Sequence, residues 1–329
     1  MTETTFKAYR VDAPKQPAEL VTSTRDELTG GDLLVRVTHS SLNYKDGLAI
    51  LGKPGVVRSF PMTCGIDLAG EVVEGGGDFA EGDQVVLTGA ELSETKPGGY
   101  SQYQRIESDS VVATPAGLGP WGAMAVGTGG LTAMLCVLRL EAAGVTPEDG
   151  PVLVTGATGG VGSFAVSTLA RLGYEVHAAT GKDSEHQYLT DLGASEIIAR
   201  DELSGDPRPL AKERWAAAVD SVGGTTLANV LSQIRYGGAV AACGLAGGHG
   251  LPATVMPFIL RNVALLGVDS VHAPLEARKQ AWSRLDELFS EEDLRAVAVD
   301  AAFTDLPSLA EKILSGGIRG RVVIDVAGA

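Results

Sequence analysis

The chemistry in this chain starts at a glycine cluster, Gly156-Ala157-Thr158-Gly159-Gly160-Val161-Gly162, which follows the apolar run Val152-Leu153-Val154. Glycines permit a tight turn and bring backbone N–H groups up to a pyrophosphate, whose charge the N-terminus of a following helix favours. The spacing of Val161 to Leu172 predicts that helix, so Thr158, Gly159, Gly160 and Val161 are expected to hold a dinucleotide. The alternative is a turn built only for close helix–strand packing. The end of the next strand addresses the ribose. A site for NAD usually places an acidic residue there. This chain has Thr180-Gly181-Lys182, a hydroxyl followed by a cation, which suits a 2′-phosphate. Arg200, just past the third strand, is expected on the same rim. The pattern predicts NADPH; otherwise Lys182 is a solvated surface charge.

A second basic feature is Gly316-Gly317-Ile318-Arg319-Gly320-Arg321. Two arginines in a glycine-rich turn of an acidic protein are expected to bind a phosphate, of the substrate or of the dinucleotide. The three cysteines, Cys64, Cys136 and Cys243, are far apart and offer neither a disulfide framework nor a CxxC pair. A reducing compartment is the natural setting.

The chain has 329 residues, enough for about two domains. Its net charge of -15 argues against non-specific nucleic-acid binding and against docking on anionic membranes. The opening Met1 to Lys7 lacks the charged and apolar regions of a leader. Gly122 to Leu138 carries no charge, but its glycines and threonines favour a buried helix over a membrane span. A soluble, cytoplasmic protein is expected.

These residues need elements to position them. Asp32–Thr38, Asp67–Glu74 and Asp83–Thr88 read as short strands separated by glycine turns, as in a small barrel. From about Gly122 strands alternate with helices, with strands at Val152–Thr155, Tyr174–Ala179, Glu196–Ala199, Trp215–Val219, Ala239–Cys243 and Val263–Val268. That alternation predicts an α/β, doubly wound parallel sheet. Two helices, Pro274–Ser290 and Phe303–Ile313, and a final strand, Arg321–Val326, close the chain. The expected division is 1–123 β-rich, 124–293 dinucleotide-binding, and 294–329 returning to the first domain.

The order of these parts resembles the medium-chain dehydrogenase/reductase superfamily. The stretches Ser40–Asp46, Pro61–Gly70, Gly127–Cys136, Ala241–Gly248 and Met256–Asn262 narrow the resemblance to its zinc-free, YhdH-like quinone oxidoreductase branch, which includes NADPH-dependent acrylyl-CoA reductases. The resemblance spans the whole chain and implies a GroES-like β-barrel catalytic domain beside a Rossmann domain. It also implies a homodimer, through the edge strand Val263–Val268. Zinc members carry an early Cys and a later Gly-His-Glu; here stand Asn43 and Gly65-Ile66-Asp67, and the five histidines show no ligand spacing. No metal is therefore expected, and Cys64 is read as a core residue. A chain without such a Lewis acid suits a substrate already activated by conjugation, with hydride going to the β-carbon and a proton to the α-carbon.

The resemblance also implies roles. Tyr44 lies near the nicotinamide, orienting it or donating the proton. Asn43 bonds the cofactor or a substrate carbonyl, and Asp46 holds the loop. Asp67 stands where zinc members have Glu, as a proton relay or in a salt bridge with Lys45 or Arg58. Thr128 and Thr132 contact nicotinamide or diphosphate, although Gly129 departs from the family's usual Ala. Leu245, Ile259 and Ser270 surround the cofactor. Two other readings stay open: an NADPH:quinone or 2-alkenal reductase, and a cofactor-binding sensor without turnover.

Overall fold

The computed structural model describes residues 5–329; the first four residues of the opening stretch lie outside the described residues. The chain forms two compact units. One runs to Thr128 and resumes at Ser270, and the other is Gly129–Asp269. The return to the first unit thus comes well before the expected residue 294. The physical reason is the segment after Asp269. The Arg278 side chain donates to the carbonyls of Thr88 (2.6 Å), Ser270 (3.0 Å) and Val271 (2.7 Å), which ties helix Leu275–Leu288 to the first unit.

The first unit holds a seven-stranded sheet in the order Ala298–Ala302, Arg321–Asp325, Leu33–Ser41, Asp67–Glu74, Gln84–Thr88 and Val112–Ala113, with Tyr103–Ile106 also paired to Leu33–Ser41. A smaller sheet joins Glu19–Thr24, Thr5–Val11 and Met62–Thr63. Val35, Val37, Leu68, Val72, Val85 and Ile324 turn into one core with Phe303 and Leu306. Strand Asp67–Glu74 has the expected bounds, and after the buried Asp67 its residues Leu68, Ala69, Gly70 and Val72 are buried as a central strand requires.

The second unit is a six-stranded parallel sheet. Its order is Glu196–Ala199, Val176–Thr180, Val152–Val154, Trp215–Asp220, Ile234–Ala242, Ala264–Gly267, which is 3-2-1-4-5-6 in chain sequence. That order is the dinucleotide-binding one, with its crevice where the winding reverses, outside the strands' carboxyl ends. Trp215–Asp220 is buried throughout, as a central parallel strand covered on both faces must be.

Helix Gly160–Arg171 leaves the glycine cluster and buries Phe164, Ala165, Val166 and Leu169. It sits close because Gly162 has no side chain: a Cβ there would run into the Gly156 carbonyl and lie 2.6 Å from the Ala157 Cα. Both neighbours are backbone and cannot rotate away. Helix Gly119–Ala142 carries the uncharged stretch; it is long and apolar enough to cross a membrane, yet mostly buried in the fold. Its helical course breaks at Gly127, with φ 50° and ψ −160°.

Gly162→Ala should lower stability by about 2 kcal/mol through overpacking. Urea unfolding checks this; an unchanged midpoint would mean that the helix can withdraw at no cost.

Candidate active site

Asp67 is the first residue of its strand and is fully buried. A buried carboxylate has to be paired and hydrogen-bonded, and this one is. Ser41 Oγ donates to it at 2.5 Å, Asn43 Nδ2 at 2.8 Å, the Thr128 amide at 2.9 Å and the Thr128 hydroxyl at 2.5 Å. Its counter-charge is Arg321, with Nη2 at 3.5 Å. The same guanidinium donates to Ser41 Oγ (2.7 Å), Asn43 Oδ1 (2.9 Å) and the Leu42 carbonyl (3.3 Å).

This overturns two expectations. Arg321 is only 3% exposed, so it is no surface phosphate ligand and forms no clamp with Arg319, which stays exposed. Arg321 opens the last strand beside Leu33–Ser41, and burial forces its charge onto the nearest carboxylate. Lys45 and Arg58 do not partner Asp67; both meet Glu94. Of the two roles expected for Asp67 the salt bridge is present, with Arg321 as its partner.

Asn43 has a different duty from carbonyl binding. Its Nδ2 hydrogens go to Asp67 and to Asp46 Oδ2 (3.1 Å). Its own amide donates to Asp46 Oδ2 at 2.8 Å, which caps the helix Tyr44–Ile50. Asp46 also accepts the Ile66 amide at 2.9 Å, as a loop-holding acceptor should. Burial, and then the charge of Asp67, push its carboxyl up to about 7. Tyr100, also buried, donates its hydroxyl to the Ser41 carbonyl at 3.0 Å, and burial raises its phenol well above the ordinary range. Burial likewise raises the Cys64 thiol to about 12, consistent with an inert core residue.

Gly127 makes this cluster possible. A Cβ at that position would strike Arg321 Nη2 and lie 2.7 Å from Ser41 Oγ and 2.8 Å from Asp67 Oδ2. Only a glycine combines the positive φ with that approach. Tyr44, the next residue after Asn43, points the other way. Its side chain is 51% exposed, and no group among the described residues hydrogen-bonds its hydroxyl. One donor within the buried cluster is unbonded, the Arg321 Nε.

In the second unit Thr158, Gly159, Thr180, Gly181, Lys182, Arg200 and Leu245 stand at or just past the carboxyl ends of strands, whereas Thr132 lies on helix Gly119–Ala142. Gly159 precedes the helix that starts at Gly160. Thr158 and Thr132 are buried. The Arg200 guanidinium lies over Gly181, where a Cβ would be 2.9 Å from its Cζ. The Lys182 amide donates to Thr180 Oγ1 at 3.1 Å. Thr180 and Lys182 end one strand and Arg200 follows its neighbour, so a hydroxyl and two cationic residues stand at adjacent strand ends. Leu245 follows its strand at the same edge of the sheet, and Ile259 lies on helix Met256–Arg261; both are exposed. Ser270 belongs to the first unit and accepts from Arg278.

Sequence reasoning passed over Asp220. It is fully buried where the sheet's winding reverses, accepting from Thr155 Oγ1 at 2.7 Å and the Gly223 amide at 2.7 Å. It ties together the loops after two adjacent strands. Its place at a strand end was the available signal. Among the described residues no group of three or more His, Cys, Asp or Glu is placed to hold a metal. At Asp67 the donors and the guanidinium occupy the carboxylate, so the residues present do not fit a zinc ion.

Asp67→Asn should cost about 3–5 kcal/mol in unfolding free energy, because Arg321 is left as an unpaired buried charge. The double variant Asp67→Asn/Arg321→Met should recover part of that loss; no recovery would mean the pair is not the source. Asp46 generates a pH effect. Its folded value of about 7 lies above the ordinary 3.8, so the fold binds the extra proton. Stability should fall as pH rises from about 4 to about 7. Asp46→Asn should flatten that slope in urea titrations, and an equal slope in both proteins would refute the assignment.

Comparison with known proteins agrees with this architecture. Residues 29–130 match the alcohol dehydrogenase GroES-like domain, and residues 160–290 match the zinc-binding dehydrogenase model. The acrylyl-CoA reductase AcuI of Ruegeria pomeroyi is 49% identical over 98% of this chain and 99% of its own. A putative quinone oxidoreductase, YhfP of Bacillus subtilis, is 44% identical over 98% and 99%. The crystal structure of the yhdH oxidoreductase from Salmonella enterica in complex with NADP superposes with a TM-score of 0.94 at 47% identity, covering 98% of this chain and 99% of that one. Two units of this topology and identity over nearly the full length lead to one conclusion: the chain belongs to the medium-chain dehydrogenase/reductase superfamily, in the YhdH-like branch that carries the acrylyl-CoA reductases.

Proposed function

We propose that this protein reduces the C=C bond of acrylyl-CoA to propionyl-CoA with NADPH and without zinc. The observation that carries the reading is the nucleotide end of the second unit. Gly181, between Thr180 and Lys182, lies against Arg200 there, in a chain about half identical, end to end, to an acrylyl-CoA reductase. Bound NADPH supplies the hydride that reaches the substrate's β-carbon. Gly159, Gly160 and Val161 hold the diphosphate on the helix N-terminus, and Lys182 and Arg200 neutralise the 2′-phosphate. Tyr44 donates the proton to the α-carbon: its hydroxyl is unengaged and half exposed, while the Asn43–Asp46 cap fixes the turn that carries it. Asn43, Asp67, Thr128 and Arg321 are positioning residues for that turn. With the Asp67 oxygens filled, no step passes through a metal.

The protein is read as cytoplasmic, with a small-molecule acyl-CoA substrate and neither nucleic acid nor membrane as partner. A homodimer fits the second unit. Strand Ala264–Gly267 is at the edge of its sheet, and Val255, Ile259 and Leu260 leave apolar surface exposed next to it in the chain. Reduction of free quinones is the second reading, favoured by the 44% identity to YhfP.

Lys182→Glu should raise the KM for NADPH at least about tenfold while moving that for NADH far less, since only NADPH carries the 2′-phosphate. Equal losses would remove the phosphate assignment. Tyr44→Phe should lower kcat on acrylyl-CoA by about a hundredfold. Spectrophotometric NADPH oxidation with acrylyl-CoA, crotonyl-CoA and a simple quinone, compared in parallel, tests the whole reading: faster turnover of the quinone would move the function to detoxification.

A further inference from the structure

Spacing alone offered no pairing among the three cysteines, but the fold brings two of them together. Cys136 lies on helix Gly119–Ala142, past its break at Gly127, and is buried. Cys243 directly follows the strand Ile234–Ala242 and is partly exposed. Both belong to the second unit, whereas Cys64 belongs to the first. The Cys136 thiol is hydrogen-bonded to the Cys243 thiol, and that bond, together with burial, holds it well above the ordinary thiol range. Cys243 Sγ in turn donates to the Asp220 carbonyl at 3.4 Å.

The thiol pair stands where three strand ends are tied to one another. The Cys243 amide donates to the Asp220 carbonyl at 2.9 Å, and the Asp220 carboxylate accepts from Thr155 Oγ1 and the Gly223 amide. Gly244, the next residue, lies against the Ser221 backbone, and a Cβ there would strike the Ser221 carbonyl. The Gly247 amide donates to the Val222 carbonyl at 2.7 Å. Backbone packed this closely has no slack to absorb a local shift. A displacement of Cys243 is therefore passed to the loop that carries Leu245, and through Asp220 to Thr155 at the head of the glycine cluster.

A partly exposed thiol with a buried thiol bonded to its sulfur is placed for two-step oxidation. We propose that Cys136 and Cys243 form a reversible disulfide under hydrogen peroxide, and that this bridge weakens NADPH binding. Cys243 attacks first: its S–O bond forms, the O–O bond breaks, and its proton leaves with the second oxygen as water. Cys136 then attacks the sulfenic sulfur: the S–S bond forms, the S–O bond breaks, and the Cys136 proton leaves with that oxygen as water. Two thiols are oxidised and one peroxide is reduced. In a reducing compartment such a bridge is transient, as a redox-sensing one should be. Closing it draws Cys243 towards the helix and takes its thiol off the Asp220 carbonyl. The effect on NADPH rests on the cofactor site assigned above; the bridge itself does not.

The test treats the reduced wild-type protein with hydrogen peroxide and alkylates it in denaturant. Alkylated cysteines should fall from three to one, with Cys136 linked to Cys243 in the peptide map, and dithiothreitol should restore all three. The NADPH dissociation constant, read by fluorescence titration, should rise about tenfold in the oxidised protein. By linkage, saturating NADPH should raise the reduction potential of the pair by about 30 mV in a glutathione buffer. Cys136→Ala should stop at a sulfenic acid on Cys243, which dimedone traps, and Cys243→Ala should leave Cys136 unmodified. Three alkylated cysteines after treatment overturn the proposal, as does a bridge to Cys64 or to a second chain, or a sulfinic acid in place of the bridge. A bridge between Cys136 and Cys243 with unchanged NADPH affinity overturns the coupling to the cofactor. A reduced protein that binds no NADPH overturns the cofactor reading, while the bridge, read by mass, stands or falls separately.

Discussion

The ion pair between Arg321 and Asp67 is the constraint around which the first unit is organised. Both groups are removed from water, and two lone buried charges would be prohibitively expensive. The chain answers by bringing several segments to one place: the end of the strand Leu33–Ser41, the cap of the helix Tyr44–Ile50, the start of the strand Asp67–Glu74, the break at Gly127 and the first residue of the last strand. Each contributes a donor or an acceptor, or, at Gly127, the absence of a side chain. The pair does not stand alone. Asp46 adds a second carboxylate, held up to about 7 by burial and by Asp67. The cluster thus joins two carboxyl groups, one guanidinium and the amide of Asn43, which serves both carboxylates and caps a helix.

This organisation divides the polar residues by task. Those that looked most reactive in isolation, Asp67 and Arg321, have their groups largely occupied by each other and by their neighbours. They fix geometry. Tyr44, which emerges from the capped turn into solvent, keeps its hydroxyl unengaged. In the proposed reaction this buried cluster fixes the turn from which Tyr44 reaches the substrate. The cationic pair on Glu94 repeats the pattern at lower burial: a hidden carboxylate positions two heads that solvent can reach.

The second unit follows a different rule. Its order 3-2-1-4-5-6 brings strand ends, and not a buried side-chain cluster, to the crevice where the winding reverses. In the proposed complex backbone amides and a helix start hold the diphosphate, and Lys182 and Arg200 meet the 2′-phosphate. Asp220 is the exception, a buried acceptor that joins two loops where the winding reverses.

Much of this was legible in the residues. The glycine cluster, the alternation of strands and helices, and the bounds of strands such as Asp67–Glu74 and Glu196–Ala199 follow from local patterns, because backbone conformation and burial period are properties of neighbours in the chain. The hydroxyl and cation at Thr180 and Lys182 were legible for the same reason. The partner of Asp67 was not. Arg321 is 254 positions away, and no spacing rule connects the two; Lys45 and Arg58 were nearer in sequence and equally charged. The early return of the chain at Ser270 was also hidden, since it depends on where the Arg278 guanidinium finds carbonyls. The sequence by itself determined the class of fold and the strand ends at which the glycine cluster and the Thr180–Lys182 stretch stand. Only the tertiary structure decided which buried charges neutralise each other, because pairing of ions depends on proximity in space, and that is set by the packing of the whole unit.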